Sequence, residues 1–377
     1  MRRIQKQRLY DLLRKTISTD TCNPPGNERA LAVFLKQYLK QHHIQCRIVE
    51  CRKDRSNILC RVPSERAKRV LVCSPHLDTV PAASSLLRPV LKAGRVIGRG
   101  STDCKGNLCA VIEALVTLRQ STVLKNLDIV LCATADEEAG SKEGLRPLLR
   151  QRKISGDFWL ILDSDDFEVV VAQKGLMHLR ATIQGKSAHA SVPYKGRNAI
   201  ADAGRVMQRL QQHRFPFKKH PLLLPPTVNI GTIHGGEKIN MVASSCVLEI
   251  DIRYLPLMKE TAIIDAVRKI LKSETRSFRL DVLDLQKPIE QPDASAYVDC
   301  LKNTLTAHHI PVRVRGSEGA TVMSILNEFG EQGISFGFGA KHMAHSDVEY
   351  VRLNDVCRGA QVLVDYFIAL DEVLKDG

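Results

Sequence analysis

Between residues 26 and 42 apolar side chains recur three and four positions apart, at Leu31, Phe34, Leu35, Tyr38 and Leu39, which predicts an amphipathic helix. The N-terminal stretch MRRIQKQRLYDLLRK reads the same way. It lacks the apolar core and small-residue cleavage site of a secretion signal. Short apolar runs follow at 57–62, 69–74, 127–135 and 158–162, with helical patterns at 105–119 and 141–150 between them. Strands alternating with helices predict an α/β layer around a mixed, largely parallel sheet flanked by helices.

From about residue 176 the pattern changes. A strand at 176–185 precedes a helix at 197–213, strands at 227–235 and 245–255, a helix at 260–273 and a strand near 277–285. This β-α-β-β-α-β order is the ferredoxin-like arrangement. The earlier pattern then resumes, with a helix near 294–308, a strand at 334–338 and a helix near 353–371. The chain of 377 residues is too long for one ordinary core. The expectation is a discontinuous domain built from 1–175 and 289–377, carrying an inserted α+β domain at 176–288.

Composition narrows the class. Apolar residues make up 44% and charged residues 25%, as in water-soluble folds. No apolar stretch reaches the length of a membrane-spanning helix. The 11 cysteines are scattered singly from Cys22 to Cys357 without a C-x-x-C pair. They argue against a disulfide framework and for buried thiols in a reducing, cytoplasmic setting. The net charge of +14 is spread along a chain with only 5% aromatics, so a basic surface attracting anionic substrates fits better than a nucleic-acid binder.

The chemistry sits at strand ends. The 69–74 strand runs into Pro75-His76-Leu77-Asp78, and ligands of open α/β sheets bind beyond the carboxyl ends of strands. Alone, His76 and Asp78 read as a hydrogen-bonded imidazole and a cap. Gly98-Arg99-Gly100-Ser101-Thr102-Asp103-Cys104-Lys105-Gly106 precedes a helix and fits no phosphate-binding motif; Asp103 is a helix cap or a metal ligand. Asp136-Glu137-Glu138 ends the next strand, either as a solvated first turn or as acids whose repulsion a cation offsets. Asp163-Ser164-Asp165-Asp166 ends another, and a C-terminal turn carries His345 in AHSDVEY. Two imidazoles with several carboxylates form a mixed nitrogen and oxygen donor set, suited to zinc or cobalt and large enough for two metals.

These motifs, in this order from residue 74 to 351, resemble those of the dinuclear zinc amidohydrolases and exopeptidases that include acetylornithine deacetylase, succinyl-diaminopimelate desuccinylase, aminoacylase and glutamate carboxypeptidase. The resemblance implies two zinc ions, replaceable by cobalt, with His76 on one and His345 on the other. Asp103 would bridge them and Glu138 would join His345. The remaining acid would be Asp163, with Asp165 the alternative, where the family usually has Gly-Glu-Pro-Thr. Asp78 would orient His76, and Glu137 would be the general base. The inserted domain is similar to the family's dimerisation domain, which implies a homodimer. In GKSAHASVP, His189 would reach the partner's active site and stabilise the oxyanion. Asn240, Arg253, Ser317 and Glu318 would contact substrate; for Arg253 a structural ion pair is the rival role, and Ser317 and Gly319 depart from the deacetylase loop. The implied reaction is hydrolysis of the amide of a small N-acyl amino acid by a metal-activated water and a Glu base. A zinc dipeptidase or carboxypeptidase is the alternative, and a non-catalytic binding protein on the same fold a further one.

Overall fold

The computed structural model describes residues 3–121, 124–291 and 295–375. Expectations touching residues 1–2, 294 and 376–377 lie outside these. The chain divides into two units: Met1–Val171 with Gln291–Arg315 and Ile325–Gly377, and Ala172–Glu290 with Gly316–Ser324.

In the first unit, strands Arg69–Ser74, Leu127–Ala133, Phe158–Ile161 and Gly333–Phe336 form the parallel centre of a mixed sheet. Their continuous apolar runs, unlike alternating ones, follow from burial on both faces. Antiparallel strands flank this centre. Arg55–Val62 pairs with Leu127–Ala133 on one side and with Cys46–Arg52 beyond it. Glu168–Gln173 pairs with Gly333–Phe336 on the other. Helix Lys105–Ser121 is buried from Lys105 to Leu118, because helices Lys6–Ser18 and Leu353–Val373 pack against it.

In the second unit the strand order is Thr227–Gly235, Ser245–Tyr254, Gly175–Gln184, Phe278–Gln286, every pair antiparallel. Helices Ala199–Gln212 and Glu260–Glu274 share its apolar core, where Leu179, Val206, Leu248 and Val267 are buried. This is the ferredoxin-like arrangement that the pattern predicts. Gly316–Ser324 groups with this unit: the main-chain nitrogen of Lys174 donates to Ser317 O at 3.0 Å, and Lys174 pairs with Glu318 at 2.5 Å.

Some elements differ from the expectation. The helix expected over 141–150 is confined to Leu145–Arg150. The residues before it wrap around Asp136 instead, Ser141 N donating to its carbonyl at 2.6 Å and Glu143 N to its carboxylate at 3.1 Å. The cysteine reading holds for most of the eleven and differs at one pair. Cys46 and Cys60 are cross-strand partners and are joined as a disulfide, while nine other cysteines are free. This single staple was hidden because strand Cys46–Arg52, with only Val49 buried, shows little apolar pattern.

One helix anchor sets the start of a functional strand. The buried Asp371 carboxylate accepts from the main-chain nitrogens of Lys125, Asn126 and Leu127 at 2.6 to 3.0 Å. Asp371→Ala should leave these donors unsatisfied and cost at least about 2 kcal/mol, measured by denaturant unfolding. An unchanged unfolding midpoint would show that water replaces the carboxylate.

Candidate metal centre

Strand Arg69–Ser74 delivers His76 just past its carboxyl end, where the ring is 2% exposed. His76 Nδ1 lies 2.9 Å from the main-chain oxygen of Asp78, a contact in which the nitrogen donates. That leaves Nε2 facing Asp103 Oδ1 at 2.8 Å, with Asp163 Oδ1 at 3.9 Å. The other oxygen of Asp103 is 3.2 Å from His345 Nε2, which also lies 3.1 Å from Glu138 Oε2. One carboxylate is therefore spanned by two imidazoles through its two different oxygens.

The loops that present these groups are held by backbone donors. Glu349 is fully buried and accepts from Gly100 N, Thr102 N and Asp103 N at 2.9 to 3.1 Å, and from Arg99 at 2.7 Å. It fixes the glycine-rich loop on which Asp103 stands. The Asp78 carboxylate accepts from Glu137 N at 3.0 Å and Glu138 N at 3.2 Å. Its oxygens are 3.6 Å or more from the His76 ring, so it positions the main chain of the two glutamates at least as directly as it positions the imidazole. Asn23 joins Asp78 at 2.9 Å to Asp136 at 3.1 Å, and Arg55 ties Asp136 and Glu28 together at 2.8 Å each. Asp136 has φ 62°, the left-handed turn that aims Glu137 and Glu138 back toward the cluster.

Sequence reasoning missed Glu349, Asn23 and Arg55. Glu349 stands four residues after His345 inside the same motif, which was the one available signal. Cys104 also lies near His76 and Asp163, but its sulfur bonds the His76 main chain and burial pushes the thiol up to about 12. Its sulfur is thus engaged by the His76 main chain at 3.1 and 3.5 Å. Asp165 bridges to Gly339 by its main chain, and it is Asp163 whose side chain groups with His76.

The electrostatics are those of crowded acids. Burial, then the charge of Asp163, raises Glu137 well above the usual carboxylate range. Burial and neighbouring charges raise Glu138 to about 7 and Asp163 to about 6. Burial opposes the charge of Asp103, but the hydrogen bonds of His345 and His76 outweigh it and hold this carboxyl well below the usual range. Hydrogen bonding to Asp103 lifts His345 to about 9. Among the described residues no lysine or arginine pairs with these four acids, and Glu138 Oε1 is buried without a partner. An orphaned carboxylate oxygen beside two imidazoles and three more acids fits a bound divalent cation.

The other expected residues lie in the second unit. His189 is exposed, its Nδ1 2.8 Å from Ser191 Oγ, on a loop that also holds Asn240 through Ala190 N to Asn240 O at 3.0 Å. Arg253 is committed to Asp251 on its own strand at 2.8 and 3.0 Å. Glu318 is engaged by Lys174 and by Leu224 N, and Ser317 Oγ by Gly319 O.

Comparisons with known proteins bear on the fold and on the resemblance. Residues 171–279 match the family described as the peptidase dimerisation domain. A probable succinyl-diaminopimelate desuccinylase of Staphylococcus aureus (strain N315) is 25% identical over 364 residues, covering 86% of this chain and 89% of its own. A LysW-lysine/LysW-ornithine hydrolase of Sulfurisphaera tokodaii is 24% identical over 371 residues, covering 98% and 97%. A tripeptidase structure from Staphylococcus aureus superposes with a TM-score of 0.82 at 23% identity, over 98% of this chain and 99% of that one. An M20 family metallo-carboxypeptidase from Sulfolobus solfataricus gives 0.78 at 16%, over 97% and 99%. The two-unit fold is thus one shared with metallopeptidases. The resemblance read from the motifs holds: the chain carries the peptidase dimerisation domain and is similar along most of its length to a probable desuccinylase.

The raised groups set the pH response of the cation-free protein. Glu138 and Asp163, raised to about 7 and about 6, keep protons that the unfolded chain has released, so their contribution to stability is lost as pH rises through those values. His345 contributes fully below its unfolded value and loses that contribution as pH rises through about 9. Both act in one direction. After chelation the Tm should fall between about pH 5 and about pH 9, and saturating zinc should flatten the decline. A Tm that rises over this range in chelated protein would contradict the arrangement.

Proposed function

We propose that this protein is a zinc-dependent amidohydrolase acting on the amide bond of a small N-acyl amino acid, in the manner of the succinyl-diaminopimelate desuccinylases. The observation that carries the reading is the Asp103 carboxylate held between His76 at 2.8 Å and His345 at 3.2 Å. A carboxylate presented to two imidazoles by opposite oxygens suits a bridge between two cations. His76 and Asp163 would complete one site, His345 and Glu138 the other. Bound there, two zinc ions would acidify a water and polarise the substrate carbonyl.

Glu137 is the base in this reading. Its carboxylate has no protein hydrogen bond among the described residues, and its main chain is pinned by Asp78. Burial raises its proton affinity, as a group that first takes a proton and then returns it requires. It would receive the proton of the attacking water and deliver it to the leaving amine. His189 of the partner subunit would donate to the oxyanion. The dimerisation domain and the exposed strand Thr227–Gly235 support a homodimer, and the many free, buried thiols fit a cytoplasmic enzyme. The tripeptidase and carboxypeptidase folds keep a peptidase as the second reading.

A panel of N-succinyl-diaminopimelate, N-acetyl amino acids, dipeptides and tripeptides, assayed with zinc or cobalt alongside metal analysis, tests the assignment. Turnover of an N-acyl amino acid at two metals per chain is expected; preference for free peptides would transfer the protein to the second reading. Glu137→Gln should retain its metal and lose about 10²–10⁴ in kcat. Near wild-type turnover in that variant would remove Glu137 from the chemistry. His189→Ala should keep its metal content and lose about 10²–10³ in kcat; an unchanged rate would show that the site is complete without a second copy.

A further inference from the structure

At the other end of the same parallel strands the first unit holds a cavity of about 830 Å³. Val70, near the start of strand Arg69–Ser74, and Ser155, shortly before Phe158–Ile161, line it together with residues of the antiparallel strands Cys46–Arg52 and Arg55–Val62. Its walls carry Arg47, Arg61, Arg119, Arg152 and Lys153 and no acidic side chain. Only Arg61 has a carboxylate partner, Asp128. Arg47 donates to the main-chain oxygen of Lys153, and Arg119 to that of His43 at 3.4 Å. The side chains of Arg152 and Lys153 make no hydrogen bond or ion pair among the described residues. The preceding helix, Leu145–Arg150, has six residues, too few for a macrodipole that would account for both cations at its carboxyl end.

Like charges gathered on a concave wall repel one another and focus a positive potential into the cavity. Guanidinium groups meet carboxylate and phosphate oxygens through paired donors, and Arg47, Arg119 and Arg152 have donors to spare. Val62 and Ile154, both buried, are among the apolar side chains that line the cavity. The volume lies within the range of about 300–1,000 Å³ usual for small-molecule sites.

We propose that this cavity is a binding site for a small polyvalent oxyanion, a metabolite with two or more phosphate or carboxylate groups, distinct from the carboxylate cluster. The two sources share their chemistry and can be separated by probe. Calorimetric titration of the metal-loaded protein with pyrophosphate and with tricarballylate, at constant ionic strength, should show one site per chain for at least one of them. The triple variant Arg47→Gln, Arg152→Gln, Lys153→Gln should bind that probe weaker by about tenfold or more, with unchanged metal content. The metal centre is common to both proteins, so any binding there cancels in the comparison. Equal affinity in the two proteins, or no binding of either probe to the unmutated one, would overturn the proposal, as would retention of an RNA oligomer with neither small anion bound. Should the variant not fold, acylation of Lys153 in the unmutated protein decides the question instead. The bound probe should slow it severalfold relative to the exposed Lys259, and equal rates would overturn the site.

Discussion

The centre of the larger unit is organised by the repulsion among Asp103, Glu137, Glu138 and Asp163, four acids in one pocket with no lysine or arginine paired to them among the described residues. Neutralising them with basic side chains would fill the pocket and silence their oxygens. The chain instead controls the acids from behind, through backbone. Glu349 grips the main chain of the Asp103 loop, and Asp78 grips the main chain of Glu137 and Glu138. Peptide nitrogens fix where Asp103, Glu137 and Glu138 stand without consuming the oxygens that point inward. The residual charge is shared with His76 and His345, two groups that can also be cation ligands in their neutral form.

That strategy moves the electrostatic burden one layer outward. Asp78 and Asp136 are themselves buried acids, and they are satisfied by Asn23 and by Arg55, whose guanidinium also takes both oxygens of Glu28. The basic charge that the inner pocket lacks is therefore present behind it, at a residue contributed by strand Arg55–Val62. Breaking such a buried pair strands a charge, which costs far more than an exposed pair contributes. The antiparallel margin of the sheet thus carries the inner pocket's support, even though no acid of that pocket lies on it.

Legibility in the sequence followed from where a residue's role is local. His76, Glu137, Glu138 and Asp163 follow buried apolar strands, and a polar group at such a strand end is visible in the run itself. The four strands of the parallel centre were legible for the same reason, being apolar without interruption. Strand Cys46–Arg52 and the small sheet of Val90–Lys92, Arg95–Ile97 and Tyr350–Arg352 were not, because their exposed positions carry no period. Glu349 and Asn23 act on residues 246 to 250 and 55 to 113 positions away. Nothing near them in the chain states what they hold. The cross-strand Cys46–Cys60 pair was hidden likewise, by a hairpin the pattern does not show.

The second unit shows why the motifs speak more clearly about the reaction than about the substrate. Two of the charged groups that the family resemblance offers for substrate contact are already paired within the unit, Arg253 with Asp251 and Glu318 with Lys174. A guanidinium that donates to a carboxylate through two nitrogens must give up part of that bond to meet another anion. Asn240 and His189 carry no such ion pair and are held side by side by main-chain bonds on an exposed loop, with His189 Nδ1 against Ser191 Oγ. In the hydrolysis proposed above, with these groups as its substrate contacts, selection among amides would rest on hydrogen-bond geometry at that loop more than on a fixed ionic pair, discriminating by the donors and acceptors left unsatisfied with the wrong substrate.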